Sequence, residues 1–199
     1  MTNAEIESVA DEIVSLYERF GHEDYIGEPV SQMEHMVQSA QLARDAGYDN
    51  DIILAAFLHD IGHLCEHFMP VALMDNYGVM DHELLGADYL ESKGFSEKIS
   101  RLVSSHVNAK RYLTYKYPGY YNRLSAASKE TLEFQGGMMS EAESAEFEKD
   151  PLFPMYIMLR NWDEQAKLQD IPLTPLLVYR ELIIEHLTRQ ETLSEKSPE

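Results

Sequence analysis

Three things are scarce in this chain, and each scarcity closes off a class of protein. There is one cysteine, Cys65. A single thiol cannot close an intramolecular disulfide, which removes the stapled secreted scaffolds and fits a reducing cytoplasm. A lone cysteine just after an apolar run reads as a small buried hydrophobe. No apolar run approaches the roughly 18 residues that a membrane span needs. The opening residues, Met1 to Glu7, are acidic where a secretory leader would be basic and then apolar. Positive charge is also short, with 16 Lys and Arg against 35 Asp and Glu and a formal charge of −19. Such a surface repels polyanions, and no basic stripe relieves it, so nucleic-acid binding is disfavoured. A small anion is not excluded, because a pocket can be locally positive inside a negative shell.

Strand alternation and internal repeats are missing as well. With 199 residues and 44% hydrophobic content, the chain can bury a sizeable core. We expect an all-α, multi-helix bundle as one domain over residues 1–190, followed by a polar, disordered tail over 191–199. Capping signals punctuate it. Thr2 and Glu5 open a first helix that stops near Gly21. Gly27 and Pro29 mark a loop, and a second helix covers Ser31 to Asp45. Asn50 or Asp51 caps an apolar helix through Leu58. Phe68 to Asp81 reads as loop, and His82 begins a helix stopped by Gly94. Ser96 caps the next helix, Glu97 to about Val107, before a tyrosine-rich stretch from Tyr112 to Tyr121. Short helices follow from Ser125 and from Ser140. A longer one spans Phe153 to Gln169, and Thr174-Pro175 opens the last, to about Gln190.

The chemistry concentrates in Leu58-His59-Asp60-Ile61-Gly62-His63. On one continuous helix, His59 and His63 would lie a turn apart on one face with Asp60 beside them. A carboxylate taken out of water costs several kcal/mol unless it is compensated. A cation held by the His-Asp pair is one compensation. A hydrogen bond from a neighbouring helix is another, and an isolated dipeptide does not choose between them.

The order His35, His59-Asp60, Asp163 resembles the H…HD…D signature of the HD-domain superfamily. The intervening His82 and His106 are similar to its two-metal form. The resemblance implies that Asp60 bridges two ions, with His35, His59 and Asp163 on one and His82 and His106 on the other. Most such proteins are phosphohydrolases, so a metal-dependent hydrolase of nucleotides or other phosphate esters is the alternative reading. Further stretches are Tyr25-Ile26-Gly27-Glu28, Gln32 to His35, His106-Val-Asn-Ala-Lys110-Arg111-Tyr112-Leu113 and Glu133-Phe-Gln135-Gly136-Gly137. Together they resemble the PhnZ-like mixed-valence diiron oxygenases, which use O2 to cleave the C–P bond of 1-hydroxy-2-aminoethylphosphonates. That resemblance implies two Fe ions, Fe(II)/Fe(III) in the active form, and release of phosphate with glycine or glycine betaine. It also implies Tyr25 and Glu28 as a gate, and His63, Lys110, Ser128, Gln135 and Arg160 around the phosphonate. An upstream hydroxylase becomes the metabolic partner. Tyr112, Tyr115, Tyr117, Tyr120 and Tyr121 are candidate faces for an N-trimethyl substrate.

Overall fold

The computed structural model describes residues 1–25 and 27–196. Its centre is the helix α3, Asn50–Leu58, in which seven consecutive residues from Ile52 to Leu58 are buried. A helix apolar on every side has to be surrounded. The helices α1 (Asn3–Phe20), α2 (Gln32–Asp45), α6 (Glu97–Lys116) and α11 (Leu176–Glu195) enclose it, with α10 (Phe153–Gln165) alongside. Phe57 is sandwiched between Tyr17 of α1 and Tyr179 of α11, with ring centroids 4.4 and 4.0 Å away. The Tyr17 hydroxyl donates to the Phe57 carbonyl at 2.9 Å. Each fully buried large side chain of this kind contributes about 1.5–3 kcal/mol.

The expected helix starts at Thr2, Ser31 and Ser140 are present as reciprocal capping boxes. The cap of α3 is Asp49, whose carboxylate accepts from the Ile52 amide at 3.0 Å, rather than Asn50 or Asp51. The helix does not continue through the His-Asp motif. His59 ends α3, Asp60 leaves helical geometry with φ −105° and ψ 13°, and a short α4 (Ile61–Leu64) follows. A 3₁₀ turn, Cys65–His67, leads into the loop that precedes α5 (His82–Ser92).

Helix α6 runs nine residues beyond the expected end near Val107. The tyrosine-rich stretch is therefore largely helical. Tyr112 and Leu113 have apolar partners there, because Tyr120, Leu124 and Met139 form a second small core with them. Tyr120 comes from α7 (Pro118–Arg123), while α8 (Ala126–Phe134) and α9 (Glu141–Phe147) complete this end. Helix α10 stops at Gln165 rather than Gln169. At the other terminus α11 extends to Glu195, five residues past the expected end. The Met1 ammonium pairs with Glu191 at 2.6 Å, which ties that last turn to the start of the chain. Of the tail expected to be disordered, residues 197–199 lie outside the described residues. Among the described residues there is no strand beyond the isolated bridges Asp24–Ser31 and Leu73–Val79, and no helix is long and apolar enough to cross a membrane.

Candidate metal centre and substrate cavity

The six candidate ligands arrive from five places in the fold. His35 sits on the buried face of α2, and His59 and Asp60 at the break between α3 and α4. His82 is the first residue of α5, His106 lies midway along α6, and Asp163 near the end of α10. All six are at most 4% exposed. The break at Asp60 turns its carboxylate across the middle of the cluster. Oδ2 lies 3.5 Å from His35 Nε2 and 3.4 Å from His59 Nε2. Oδ1 lies 3.3 Å from His82 Nε2 and 3.1 Å from His106 Nε2. Asp163 Oδ1 is 3.5 Å from His35 Nε2. Two triads result, His35–His59–Asp163 and Asp60–His82–His106.

The tautomers decide what this arrangement needs. Nδ1 of His35, His59, His82 and His106 faces the carbonyl of Ala166, Ala56, Val79 and Val103 respectively, at 2.7–3.3 Å. Each Nδ1 therefore carries its proton and donates it to the backbone, so each Nε2 presents a lone pair to the cluster. Two such lone pairs meet at 3.1 Å between His35 and His59, and two more at 3.0 Å between His82 and His106. Asp60 Oδ2 and Asp163 Oδ1 are buried without a hydrogen-bond donor. Lone pairs and carboxylates converging away from water repel unless positive charge lies between them. A proton on His59 Nε2 can take the place of that positive charge: burial alone would lower the His59 pKa, but the carboxylates of Asp60 and Asp163 override it and raise it to about 9. Burial opposes ionisation of Asp60 as well, yet the positive charge that a protonated His59 carries holds its pKa well below the usual range. The donor set fits two divalent or trivalent cations bridged by Asp60, and nitrogen with oxygen ligands suit Zn, Mn or Fe.

Glycine makes the geometry possible. A Cβ on Gly62 would lie 1.8 Å from the His82 carbonyl oxygen, so only glycine lets α4 approach the start of α5 this closely. Val79, in the preceding loop, fastens two rings. Its carbonyl accepts from His82, and its amide donates to His63 Nδ1 at 3.2 Å. His63 is thus fixed with its proton on Nε2. It stacks on His82 with centroids 4.0 Å apart rather than sharing a helix with His59. Burial and the neighbouring imidazoles hold its pKa well below the ordinary value. It is a neutral donor.

A cavity opens on the cluster. Tyr25, Glu28, His63, Lys110, Ser128, Gln135 and Arg160, all expected around a substrate, line it together with Asp60, His82, His106 and Asp163. Lys110 is 3% exposed and donates to Thr131 Oγ1 at 2.9 Å. Desolvation, aided by the Arg160 charge, brings its pKa down to about 7. Arg160 is equally buried. Its Nη1 donates to Asp163 Oδ2 at 2.5 Å and its Nε to Tyr120 and Glu164, which leaves Nη2 without a partner. That contact occupies one oxygen of Asp163 and leaves the other for the cluster. Lys110, Arg160 and His63 are groups in this lining that can direct a donor at an anion. Tyr25 stacks on the His35 ring at 4.0 Å, and Glu28 closes the same turn, its amide donating to the Tyr25 carbonyl at 2.9 Å. Gly27 takes φ +75° in that turn, where a Cβ would also strike Ala127 of α8.

The sequence reading missed several lining residues. Gln32 and Thr131 face the cavity from helices, and Glu66, Met74 and Tyr77 reach it from the segment after α4. Lys167, which pairs with Glu28 at 2.6 Å, was also missed. Gln32 and Thr131 had a legible signal, lying one turn from His35 and Ser128. The tyrosines proposed as cation faces are not in the cavity lining. Tyr112 packs with Phe147 and Phe153, and the Tyr120 hydroxyl serves Arg160 and Glu164. The aromatic rings that line it are Tyr25 and Tyr77.

The pattern of the HD domain matches residues 33–144. An uncharacterized protein of Acanthamoeba polyphaga mimivirus is 51% identical over 176 residues, 88% of this chain and 80% of its own length. The [1-hydroxy-2-(trimethylamino)ethyl]phosphonate dioxygenase (glycine-betaine-forming) of Leisingera caerulea is 43% identical over 164 residues, 82% of this chain and 83% of that one. The hydroxymethylphosphonate dioxygenase of Gimesia maris is 35% identical over 189 residues, 88% of this chain and 90% of that one. With these relatives and this all-α fold, the chain is an enzyme of the HD-domain superfamily and belongs to the branch that includes the phosphonate dioxygenases.

Proposed function

We propose that the protein is a diiron oxygenase that uses O2 to cleave the C–P bond of a 1-hydroxy-2-aminoethylphosphonate-type substrate, as the free amine or its N-trimethyl form. The products are phosphate and glycine or glycine betaine. His35, His59 and Asp163 would hold one iron, His82 and His106 the other, and Asp60 would bridge them. When bound, the irons supply the redox chemistry by which O2 oxidises the carbon bearing phosphorus. The reaction balances without an external reductant. The C1–H and C–P bonds are lost, one oxygen atom of O2 enters the carboxylate and the other the phosphate, and one proton is released.

The chain's own residues have distinct tasks in this reading. Lys110 and the unpartnered Nη2 of Arg160 bind phosphonate oxygens, one as a point charge and the other as a directed donor. The His63 Nε2–H, Ser128 and Gln135 add hydrogen bonds that fix which face of C1 meets the cluster. Arg160 also orients Asp163. Glu28 takes the substrate's cationic nitrogen, and Tyr25 covers the His35 side of the cluster until substrate moves the turn. The observation that carries the reading is the Tyr25–Glu28 turn lying over the His35 ring in the same cavity as the cluster. A phosphohydrolase has no use for it. A hydroxylase that installs the 1-hydroxyl, and a cytoplasmic setting consistent with one buried thiol, belong to the same proposal.

Turnover under ¹⁸O2 tests it. The oxygenase incorporates one label into the carboxylate and one into phosphate. Label found in neither product, with unlabelled phosphate formed from phosphate esters, would overturn the reading in favour of the hydrolase.

A further inference from the structure

Glu28 lines the cavity, but it is not a free carboxylate. Its Oε1 is 2.6 Å from the Lys167 ammonium, with the two side chains 9% and 16% exposed. Lys167 Nζ also lies 5.9 Å from the centre of the Tyr25 ring. The backbone around Lys167 is pinned on both sides. Ala166 gives its carbonyl to His35 Nδ1, and Leu168 exchanges two hydrogen bonds with the Gln38 side chain at 2.9 and 3.0 Å. Only the lysine side chain is left to move, and it is long enough to swing toward solvent. Lys167 itself does not line the cavity.

A carboxylate already neutralised by an ammonium attracts a second cation weakly. A ligand cation gains its contact with Glu28 only by displacing the first. Resting on the proposed function above, we infer that Lys167 is a specificity-determining residue. It stands in for the substrate's cationic nitrogen at Glu28 and is displaced by that nitrogen on binding. Lys167 thereby sets the preference between phosphonates that carry a cation and those that do not. A 1-hydroxyphosphonate without a cationic nitrogen leaves the Lys167–Glu28 pair intact. A quaternary or primary ammonium exchanges with it, so the pair raises the threshold for cationic substrates without touching the phosphonate end.

The test is anaerobic calorimetric binding to the metal-loaded protein of two ligands, [1-hydroxy-2-(trimethylamino)ethyl]phosphonate and hydroxymethylphosphonate. In Lys167→Met the ligand with the ammonium should bind about five- to tenfold tighter while hydroxymethylphosphonate, which lacks one, stays within about twofold of wild type. Lys167→Arg should keep the wild-type ratio. In a Glu28→Gln background, Lys167→Met should have no effect on the ratio. Lys167→Gln replaces Lys167→Met if the latter does not fold. Weaker cationic binding in Lys167→Met, or equal shifts of both ligands, or an effect that persists without Glu28, would overturn the inference and leave the proposed function standing. Wild-type protein that binds neither phosphonate would overturn both.

Discussion

Lys110 offers the sharpest quantitative handle on the cavity. It lines the cavity at 3% exposure, and desolvation with the Arg160 charge brings its pKa from 10.5 to about 7. At about 1.4 kcal/mol per unit, that is roughly 5 kcal/mol against holding the ammonium charged in the free protein. A phosphonate dianion reverses the balance, since the ammonium then has a partner in low dielectric. Binding should therefore take up a proton whenever the pH lies above about 7. One unit above it, at pH 8, the free lysine is about one-tenth protonated, so uptake should approach about 0.9 proton per ligand. The ligand of choice is [1-hydroxy-2-(trimethylamino)ethyl]phosphonate, whose nitrogen does not titrate. Titration calorimetry in buffers of different ionisation enthalpy measures the uptake. Affinity should be flat below pH 7 and fall by up to about tenfold per unit above it. Lys110→Met should abolish both the uptake and the slope while weakening binding throughout. The folded protein also binds fewer protons than the unfolded chain between pH 7 and 10.5, so this group's contribution to stability rises with pH across that window. Uptake near zero at pH 8 in wild type, or an unchanged slope in Lys110→Met, would refute the assignment of Lys110 as the phosphonate's charge partner.

Three further substitutions probe how the cluster is built. Gly62→Ala places a methyl 1.8 Å from the His82 carbonyl oxygen. The α4–α5 contact must open, with an expected loss of about 1–3 kcal/mol or more in urea unfolding and a weakened second ion; wild-type stability and metal content would contradict this. Asp60→Ala should reduce metal content below about one ion per chain, whereas His82→Ala should retain about one, because the Asp60 carboxylate reaches the imidazoles of both triads. Equal loss in the two variants, measured by elemental analysis, would show that Asp60 does not bridge.

Much of the fold could be read before any coordinates, and the reasons are local. Thr2, Ser31 and Ser140 each carry a glutamate three residues on, so both halves of the capping box are written within four residues. The all-α class followed from the same capping signals and from the lack of strand alternation, whereas the six converging residues came from the resemblance to the H…HD…D signature. The break at Asp60 was not legible. Gly62 hints at a stop but does not place it at Asp60, whose carboxylate faces imidazoles from three other helices. The length of α6 depended on Tyr120, Leu124 and Met139, which supply a second core only once the chain has folded back. Lys167 falls within the helix expected to run to Gln169, where nothing in the sequence marks it out. Its role is visible only because Gln38, 130 residues away, pins the backbone beside it. The tyrosines from Tyr112 to Tyr121 misled for the converse reason. Aromatic richness marks a recognition surface or a core equally well, and here Tyr112 and Tyr120 belong to the core.

The central claim is that two irons sit between converging imidazole lone pairs and respond to a phosphonate. The most direct measurement is anaerobic metal analysis combined with Mössbauer and EPR spectroscopy, before and after adding 1-hydroxylated aminoethylphosphonates. The account predicts about two irons per chain and a coupled Fe(II)/Fe(III) signal that changes when the phosphonate binds. A single ion, or zinc or manganese with no response to any phosphonate, would contradict it.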